Sequence, residues 1–158
     1  MDTKWEINRV STRERIFSKI KTEMPQPVGI MIFGADGELK EQVVRSFTNA
    51  LQGFATFHSG APDTATLVAM FEAHRPAVVT LNADESSSHS LRHELVKVMQ
   101  NAGAASVVGV YAKARPHQIR PLASSKESVQ LNKQIAAIER SQPSADGLDY
   151  LVVVNESI

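Results

Sequence analysis

Five short apolar runs alternate with segments of helical period along most of this chain, and no other feature constrains its fold as much. The runs cover residues 28–33, 54–58, 77–81, 106–111 and 148–154. Each is rich in β-branched or large apolar side chains, which is typical of strands buried in a parallel sheet. Between them, apolar residues recur three or four positions apart, as on one face of a helix. The alternation predicts a three-layer α/β domain, a doubly wound sheet of five parallel strands covered by helices on both faces.

The order of the five predicted strands is left open by this pattern. A flavodoxin-like sheet has the order 2-1-3-4-5, and a P-loop-like sheet has the order 2-3-1-4-5. Both orders need the same alternation of strands and helices along the chain. We favour the flavodoxin-like order and keep the P-loop-like order as the alternative.

An extra amphipathic helix precedes the first predicted strand. Residues 1–27 are interpreted as this helix and a linker, and residues 28–158 as a single α/β domain. The apolar face of the helix contains Ile16, Phe17, Ile20 and Met24. Doubly wound domains commonly end with a helix that covers one flank of the sheet, and we expect this N-terminal helix to pack in that place. The alternative is that it docks on a second subunit or a partner, with Trp5, Ile16, Phe17 and Ile20 as interface candidates.

Charge and composition narrow the classes of partner. The 17 basic side chains equal the 17 acidic ones, which removes the global attraction that nonspecific binding to nucleic acid needs. The sequence has no cysteine, so it offers no disulfide and no thiolate ligand. Its first thirty residues lack a long apolar run, and we expect a cytoplasmic protein without a membrane partner.

Polar residues collect in the loops that follow the predicted strands. Ligands bind at this carboxyl edge in open parallel sheets, so we expect these loops to meet and to hold any small-molecule ligand. A basic stretch over residues 113–126 is an additional candidate for binding an anion. The ligand-binding candidates are Gly34, Asp36, Gly37, Lys40, Asn82, Asp84, Lys113 and Arg115.

The first of these loops has part of a phosphate-binding motif. Gly34 and Lys40 have the spacing of the first glycine and the lysine in Gly-x-x-x-x-Gly-Lys-Ser/Thr, and residues 149–155 resemble the last strand of guanylate-kinase-type enzymes. Leu39 stands where the second glycine belongs, and Glu41 replaces the hydroxyl that holds Mg²⁺. A branched side chain crowds the cradle, and a carboxylate repels phosphate.

Residues 81–99, LNADESSSHSLRHELVKVM, resemble a region of Toll/interleukin-receptor (TIR) domains, in which a serine-rich loop precedes a helix with a Glu-Leu pair. By this resemblance Glu94 matches the catalytic glutamate of the members that act on NAD. Ser90 stands where the family usually has an aromatic residue near that glutamate.

The spacing of residues 36–103 is similar to that of cobalamin-binding domains, which are flavodoxin-like. Asp36 matches the family's aspartate, but Glu38 replaces the histidine that binds cobalt and Glu41 replaces a glycine. Phospho-receiver domains share this spacing, yet Asn82 lies where their phosphoacceptor aspartate belongs. An amide cannot form an acyl phosphate.

The five histidines do not form a recognisable metal-binding motif in the sequence. Only His89 and His93 have the i, i+4 spacing of a helical metal pair, without an intervening glutamate or an evident third ligand. We predict no metal and no cofactor. Because each template loses the residues that its chemistry needs, we predict a noncatalytic regulatory module or pseudoenzyme with a protein partner or a second copy. The alternative is a nucleotide-binding enzyme that uses Glu94 in the TIR manner or Lys40 in the P-loop manner.

Overall fold

Six parallel strands form one sheet in the computed structural model, which describes residues 3–7, 10–114, 125–143 and 146–155. The strands are β1 (Thr3–Ile7), β2 (Val28–Gly34), β3 (Thr56–Ser59), β4 (Ala77–Thr80), β5 (Ser106–Lys113) and β6 (Tyr150–Asn155). The helices are α1 (Val10–Thr22), α2 (Glu38–Leu51), α3 (Thr64–Met70), α4 (Ala83–Ser87), α5 (His89–Asn101) and α6 (Ser125–Arg140), with a 3₁₀ turn at Glu72–His74.

The strand order decides between the two predicted topologies. From edge to edge the sheet runs β1-β6-β5-β2-β4-β3, so the five predicted strands take the order 2-3-1-4-5. The P-loop-like alternative is therefore confirmed, and the flavodoxin-like order that we favoured is wrong. The decisive contact is the pairing of β2 with β4, which places β4 between β2 and β3.

The edge strand β1 was not predicted from the sequence. It pairs with β6 in a register that places Thr3 opposite Tyr150 and Ile7 opposite Val154. Its sequence, TKWEI, carries two charges in five residues and has no buried-strand pattern. An edge strand needs only one neighbour, so its sequence signal is weak.

The two faces of the sheet carry different helices. Buried side chains of α1 and α2 form one core cluster with the sheet, and those of α3, α5 and α6 form the other. We call these the α2 face and the α5 face. This three-layer arrangement is the predicted α/β class. Within the described residues, no helix combines the length and the apolar character needed to cross a membrane.

Helix α1 packs against this chain's own sheet. Ile16, Phe17, Ile20 and Met24 are buried in the core of the α2 face, and the Phe17 ring meets the Phe47 ring edge-on with centroids 4.8 Å apart. The structure thus confirms that the apolar face of this helix packs within its own chain. The interface candidates Ile16, Phe17 and Ile20 therefore face the chain's own core.

Residues between β4 and α5 differ from the expected structure. The sequence predicted a polar loop over residues 82–88, but α4 occupies most of it, because Asn82 and Glu85 cap its first turn reciprocally. Leu91, predicted on the buried stripe of α5, is 45% exposed. Leu95, Val96 and Met99 form the buried side of that helix.

Helix α2 leaves part of its sheet face uncovered. Phe57 of β3 is opposite Val78 of β4 in the parallel register, and Ser59 is opposite Thr80. Residues in register point to the same face of a parallel sheet, and Val78 belongs to the core of the α2 face. Phe57 is nevertheless 42% exposed. The outer two strands thus border an open space beside α2.

Candidate functional site

A cleft of ≈ 790 Å³ lies at the carboxyl ends of β2, β3 and β4, beside α2. This edge is where ligands bind in open α/β sheets. An adjoining depression of ≈ 360 Å³ extends it along the sheet to Phe57 and Val78. The larger cleft is lined by Asp36, Gly37, Lys40, Glu41, Val44, Arg45, Thr48, Ser59, Thr80, Leu81 and Asn82.

The connection from β2 to α2 is too short to form a phosphate cradle. Only residues 35–37 separate Gly34, the last residue of β2, from Glu38, the first residue of α2. The backbone N–H of Glu41 donates to the carbonyl of Gly37 at 3.1 Å, as in a regular helix. Leu39 is buried and fixes this first turn against the core. Residues 38 and 39, which would belong to the loop of a P-loop motif, are here part of α2.

Gly34 is needed by the neighbouring strand. Its φ of +144° suits glycine, and a Cβ added there would lie 2.5 Å from the carbonyl oxygen of Ala112 in β5. This close approach of β2 to β5 explains the glycine without any ligand.

Lys40 is bound inside the protein. Its Nζ donates to the carbonyl of Gly34 at 3.1 Å, to Asp36 Oδ1 at 3.0 Å and to the carbonyl of Leu81. An ammonium has three N–H donors, so these acceptors use all of them. The residue is 5% exposed. Lys40 therefore links the ends of β2 and β4.

Burial also affects the titration of Lys40. It lowers the pKa of this amine from its ordinary value, and the hydrogen bond and charge of Asp36 oppose that effect. Burial is the larger cause. Lys40 therefore links the two strand ends although the burial of its charged amine costs desolvation free energy.

Asn82, at the end of β4, is committed to a local cap. Its Oδ1 accepts from the Glu85 N–H at 2.9 Å, and Glu85 Oε1 accepts from the Asn82 N–H at 3.1 Å. Glu85 Oε2 also accepts from the N–H of Ala61, at 3.1 Å, which ties the loop after β3 to α4. In P-loop NTPases an aspartate from the Walker B strand holds Mg²⁺. The end of β4 offers a neutral amide instead.

The predicted candidates divide between the cleft and other places. Gly34 borders the cleft through Lys40, and Asp36, Gly37, Lys40 and Asn82 line it. Two others lie apart from it: Asp84 accepts from Gln134 Nε2 at 3.3 Å, and Lys113 Nζ is 4.0 Å from Glu139 Oε2. Arg115 and most of the predicted anion-binding stretch lie outside the described residues.

Glu94 lies in α5, and Trp5 lies in β1. Glu94 is exposed on α5, on the opposite face of the sheet from α2, and does not line the cleft. Trp5 lies in β1, opposite Val152 in the register. Glu94 is therefore not brought together with the candidates that line the cleft.

Several residues of the site were not among the predicted candidates. Arg45 and Thr48 line the cleft from the outer side of α2, where polar residues on a solvent face carry no distinguishing pattern. The role of Glu85 could have been predicted, because Asn82 and Glu85 have the spacing of a capping box. Ser59 and Thr80 line the cleft from the ends of β3 and β4.

A buried ion pair lies on the opposite face. Arg92 Nε donates to Asp146 Oδ2 at 2.5 Å, and both side chains are 0% exposed. The guanidinium also donates to the carbonyl of Ser86 and, at 2.6 Å, to Ser141 Oγ. It lies 5.1 Å from the centroid of the Phe33 ring. These contacts join α4, α5 and α6 to the segment before β6.

Tyr111 extends the polar contacts of the α5 face. Its ring stacks on Phe33 with centroids 5.3 Å apart, and its hydroxyl donates to Glu139 Oε1 at 3.0 Å. Burial, followed by the charge of Glu139, raises the pKa of Tyr111 well above its ordinary value.

Tyr111→Phe is expected to lower the free energy of unfolding at pH 7 by about 1 kcal/mol, through loss of that hydrogen bond. Above pH 10 the unfolded chain releases the phenolic proton while the folded protein retains it, so the wild type loses stability as the pH rises. The variant should lose this part of the decline. Urea titrations at pH 7, 9 and 10.5 measure both effects, and parallel stability profiles for the two proteins would contradict the prediction.

Comparisons with family models, with curated proteins and with solved structures find no match for this chain. The likeness to P-loop proteins thus rests on the strand order, on the Gly34–Lys40 spacing and on the resemblance of residues 149–155 to a guanylate-kinase strand.

Proposed function

We propose that this chain is a noncatalytic regulatory or protein-interaction module, built on a P-loop-like sheet whose phosphate site is closed from within. The observation that carries the proposal is the position of Lys40, whose three donors are taken by Gly34, Leu81 and Asp36. In a P-loop the corresponding lysine contacts the β- and γ-phosphates. Here it holds two strand ends together.

Two further features support the absence of phosphoryl transfer. Only residues 35–37 lie between β2 and α2, in place of the longer glycine-rich loop that wraps around a phosphate. Glu41 and Asn82 replace the hydroxyl and the carboxylate that hold Mg²⁺ in P-loop enzymes. A triphosphate at this edge would meet the carboxylates of Asp36 and Glu41, and the Lys40 ammonium there is already bound to Asp36.

The cleft suits a protein partner better than a small ion. Its lining includes the half-buried Val44 and the exposed Arg45 and Thr48, and the adjoining depression reaches the exposed ring of Phe57. An apolar centre with a polar rim and an exposed aromatic side chain is the usual composition of a protein interface. Light scattering over a range of concentrations tests whether a second copy of the chain is that partner.

The alternative function is a nucleotide-binding enzyme, favoured by the strand order and by the spacing of Gly34 and Lys40. It requires that Lys40 leave its internal acceptors when a nucleotide arrives. Glu94, the residue of the TIR-like version, would have to act from the α5 face without the cleft residues.

Thermal unfolding of the full chain is expected to be the same with and without 1 mM ATP, GTP, NAD or cobalamin, each tested with Mg²⁺. A ligand at a hundred times its Kd stabilises the folded state by about 2.7 kcal/mol, which a melting curve resolves readily. An authentic P-loop kinase serves as the positive control for the assay. A saturable rise in Tm with one of these ligands, or turnover of NAD that Glu94→Gln abolishes, would overturn the proposal.

A further inference from the structure

The strands at the two edges of the sheet differ in their protection against pairing with another chain. Within the described part of the chain, β1 and β3 each have a neighbouring strand on one side only. Edge strands of soluble proteins commonly carry charged side chains or proline, which discourage such pairing. The strand β1 contains Lys4 and Glu6. The sequence of β3, TFHS, contains no Asp, Glu, Lys, Arg or Pro, and the Phe57 side chain is 42% exposed.

The backbone of β3 alternates between its neighbour β4 and the outer edge. The N–H groups of Thr56 and Gly60 both donate to carbonyls on the β4 side, at 2.9 and 2.7 Å. In a strand each residue directs its N–H and its C=O to the same side, and successive residues alternate between the two sides. The backbone groups of Phe57 and Ser59 therefore point to the outer edge, where they can pair with another strand.

A second copy of β3 fits this edge in one antiparallel register better than in the others. When Phe57 lies opposite Ser59 of the second copy, Ser59 also lies opposite Phe57 of that copy. Each such pair exchanges two backbone hydrogen bonds, so the outward groups of both residues are paired. A register that places Phe57 or Ser59 opposite itself pairs only one of the two residues. The favoured register has a two-fold axis, so the assembly closes at two chains.

The side chains of β3 favour the same pairing. Phe57 is in register with Val78 of β4 and lines the depression of ≈ 360 Å³ on the α2 face. In the favoured register the two Phe57 side chains are diagonal neighbours on that face, roughly 7–8 Å apart at the backbone, which is within reach of aromatic rings. Each ring then covers the exposed part of the other. Because β3 contains no Asp, Glu, Lys or Arg, the pairing places no such charges opposite their like.

We propose that two copies of this chain associate by antiparallel pairing of their β3 strands, which continues the sheet across a two-fold axis. The inference rests on the proposed function as an interaction module and names a second copy as the partner. The contact consists of two strands of four residues and their aromatic side chains, which is small for a protein interface. We therefore expect the association to be weak and to depend on concentration.

Light scattering of the full chain tests the proposal at pH 8, where an imidazole side chain is ordinarily neutral. Over about 10 µM to 1 mM, a range suited to a small interface, the average mass should rise from one chain towards two. Phe57→Lys and Ser59→Pro should each weaken association at least about tenfold, because lysine and proline block an edge strand. The Ser59 N–H points away from β4, so proline there leaves the pairing of β3 with β4 intact. Leu91→Lys is the matched control, because Leu91 is 45% exposed on α5, and it should associate like the wild type.

The absence of cysteine from the sequence allows a direct test of the register. In the favoured register His58 lies on the two-fold axis, opposite His58 of the second copy, in a pair without backbone hydrogen bonds between its members. The Cα atoms of such a pair are about 4.5 Å apart, a distance that a disulfide spans. With a chemical oxidant, His58→Cys should form linked dimers at least about tenfold faster than the control Leu91→Cys.

Three results would overturn the proposal. The wild type would remain a single chain at every concentration, which would leave the edge to a strand from a different protein. Alternatively, Phe57→Lys and Ser59→Pro would both associate like the wild type, or His58→Cys would form linked dimers no faster than its control. None of these results alters the thermal unfolding test with nucleotides. A rise in Tm with a nucleotide would instead overturn the proposed function and leave the measured association unchanged.

Discussion

Replacing Asp146 with alanine is expected to lower the free energy of unfolding by about 3–5 kcal/mol, the usual effect of leaving one member of a buried ion pair without its partner. The Arg92 guanidinium would remain 0% exposed, with its charge uncompensated. Its other acceptors, the carbonyl of Ser86 and the hydroxyl of Ser141, are neutral and cannot replace the carboxylate. Urea unfolding followed by circular dichroism measures the loss.

The double variant Arg92→Met/Asp146→Ala distinguishes the free energy of the ion pair from that of the surrounding packing. Removal of both charges relieves the buried guanidinium, so the double variant should be less destabilised than the sum of the two single variants. Methionine retains an apolar side chain next to Phe33. If the two single effects simply add, the stabilisation does not come from the pairing.

The exposed pair of Lys113 and Glu139 provides the matched control. Its atoms are 4.0 Å apart, and the two side chains are 46% and 41% exposed. Lys113→Met should change the free energy of unfolding by no more than about 1 kcal/mol, because solvent screens an exposed pair. A loss as large as that of Asp146→Ala would mean that burial is not the cause of the difference.

The class of the fold followed from local patterns, and the strand order did not. Apolar runs mark β2 and β4–β6, and helical spacing marks α2, because each pattern reflects burial of a short segment. Whether β2 lies beside β3 or beside β4 depends on pairing between distant segments. In both candidate orders β3 is an edge strand and β2 is buried, so neither strand carries a sequence signal that separates them.

The meeting of these loops at one edge of the sheet could be predicted from the sequence, whereas the contacts that their side chains make could not. Parallel strands place their carboxyl ends at one edge, and Asp36, Lys40 and Asn82 do meet there. The direction of the Lys40 side chain depends on Leu81, which is 41 residues away. The pairing of Arg92 with Asp146 spans 54 residues, and a charged residue within a helix looks like a solvated one until its partner is known.

Lys40→Met is expected to destabilise the folded protein by about 2 kcal/mol. Methionine keeps an apolar stem of similar length but removes the ammonium that binds the carbonyls of Gly34 and Leu81. A buried carbonyl without a donor costs about 1–3 kcal/mol, and release of the amine from its desolvated position offsets part of that cost. Lys97→Met, at an exposed position of α5, is the control and should stay within about 0.5 kcal/mol of the wild type.

The pH dependence of the same variant provides a second test. Because burial lowers the pKa of Lys40 below its ordinary value of 10.5, the folded protein releases this proton at a lower pH than the unfolded chain does. Between these two pKa values the unfolded chain binds more protons, so the free energy of unfolding gains a contribution that rises with pH. Lys40→Met should lose that contribution, and Lys97→Met should keep it.

These measurements separate an internal lysine from a ligand-binding one. A lysine reserved for phosphate would leave the stability of the unliganded protein unchanged when replaced, and its loss would be seen only in the binding of Mg²⁺ and ATP. A lysine that links β2 to β4 should show the reverse, with a lower free energy of unfolding and the same absence of a nucleotide-dependent rise in Tm in both proteins. The hypothesis of a P-loop at this edge would be supported by two results together. Lys40→Met would be as stable as the wild type, and only the wild type would bind nucleotide.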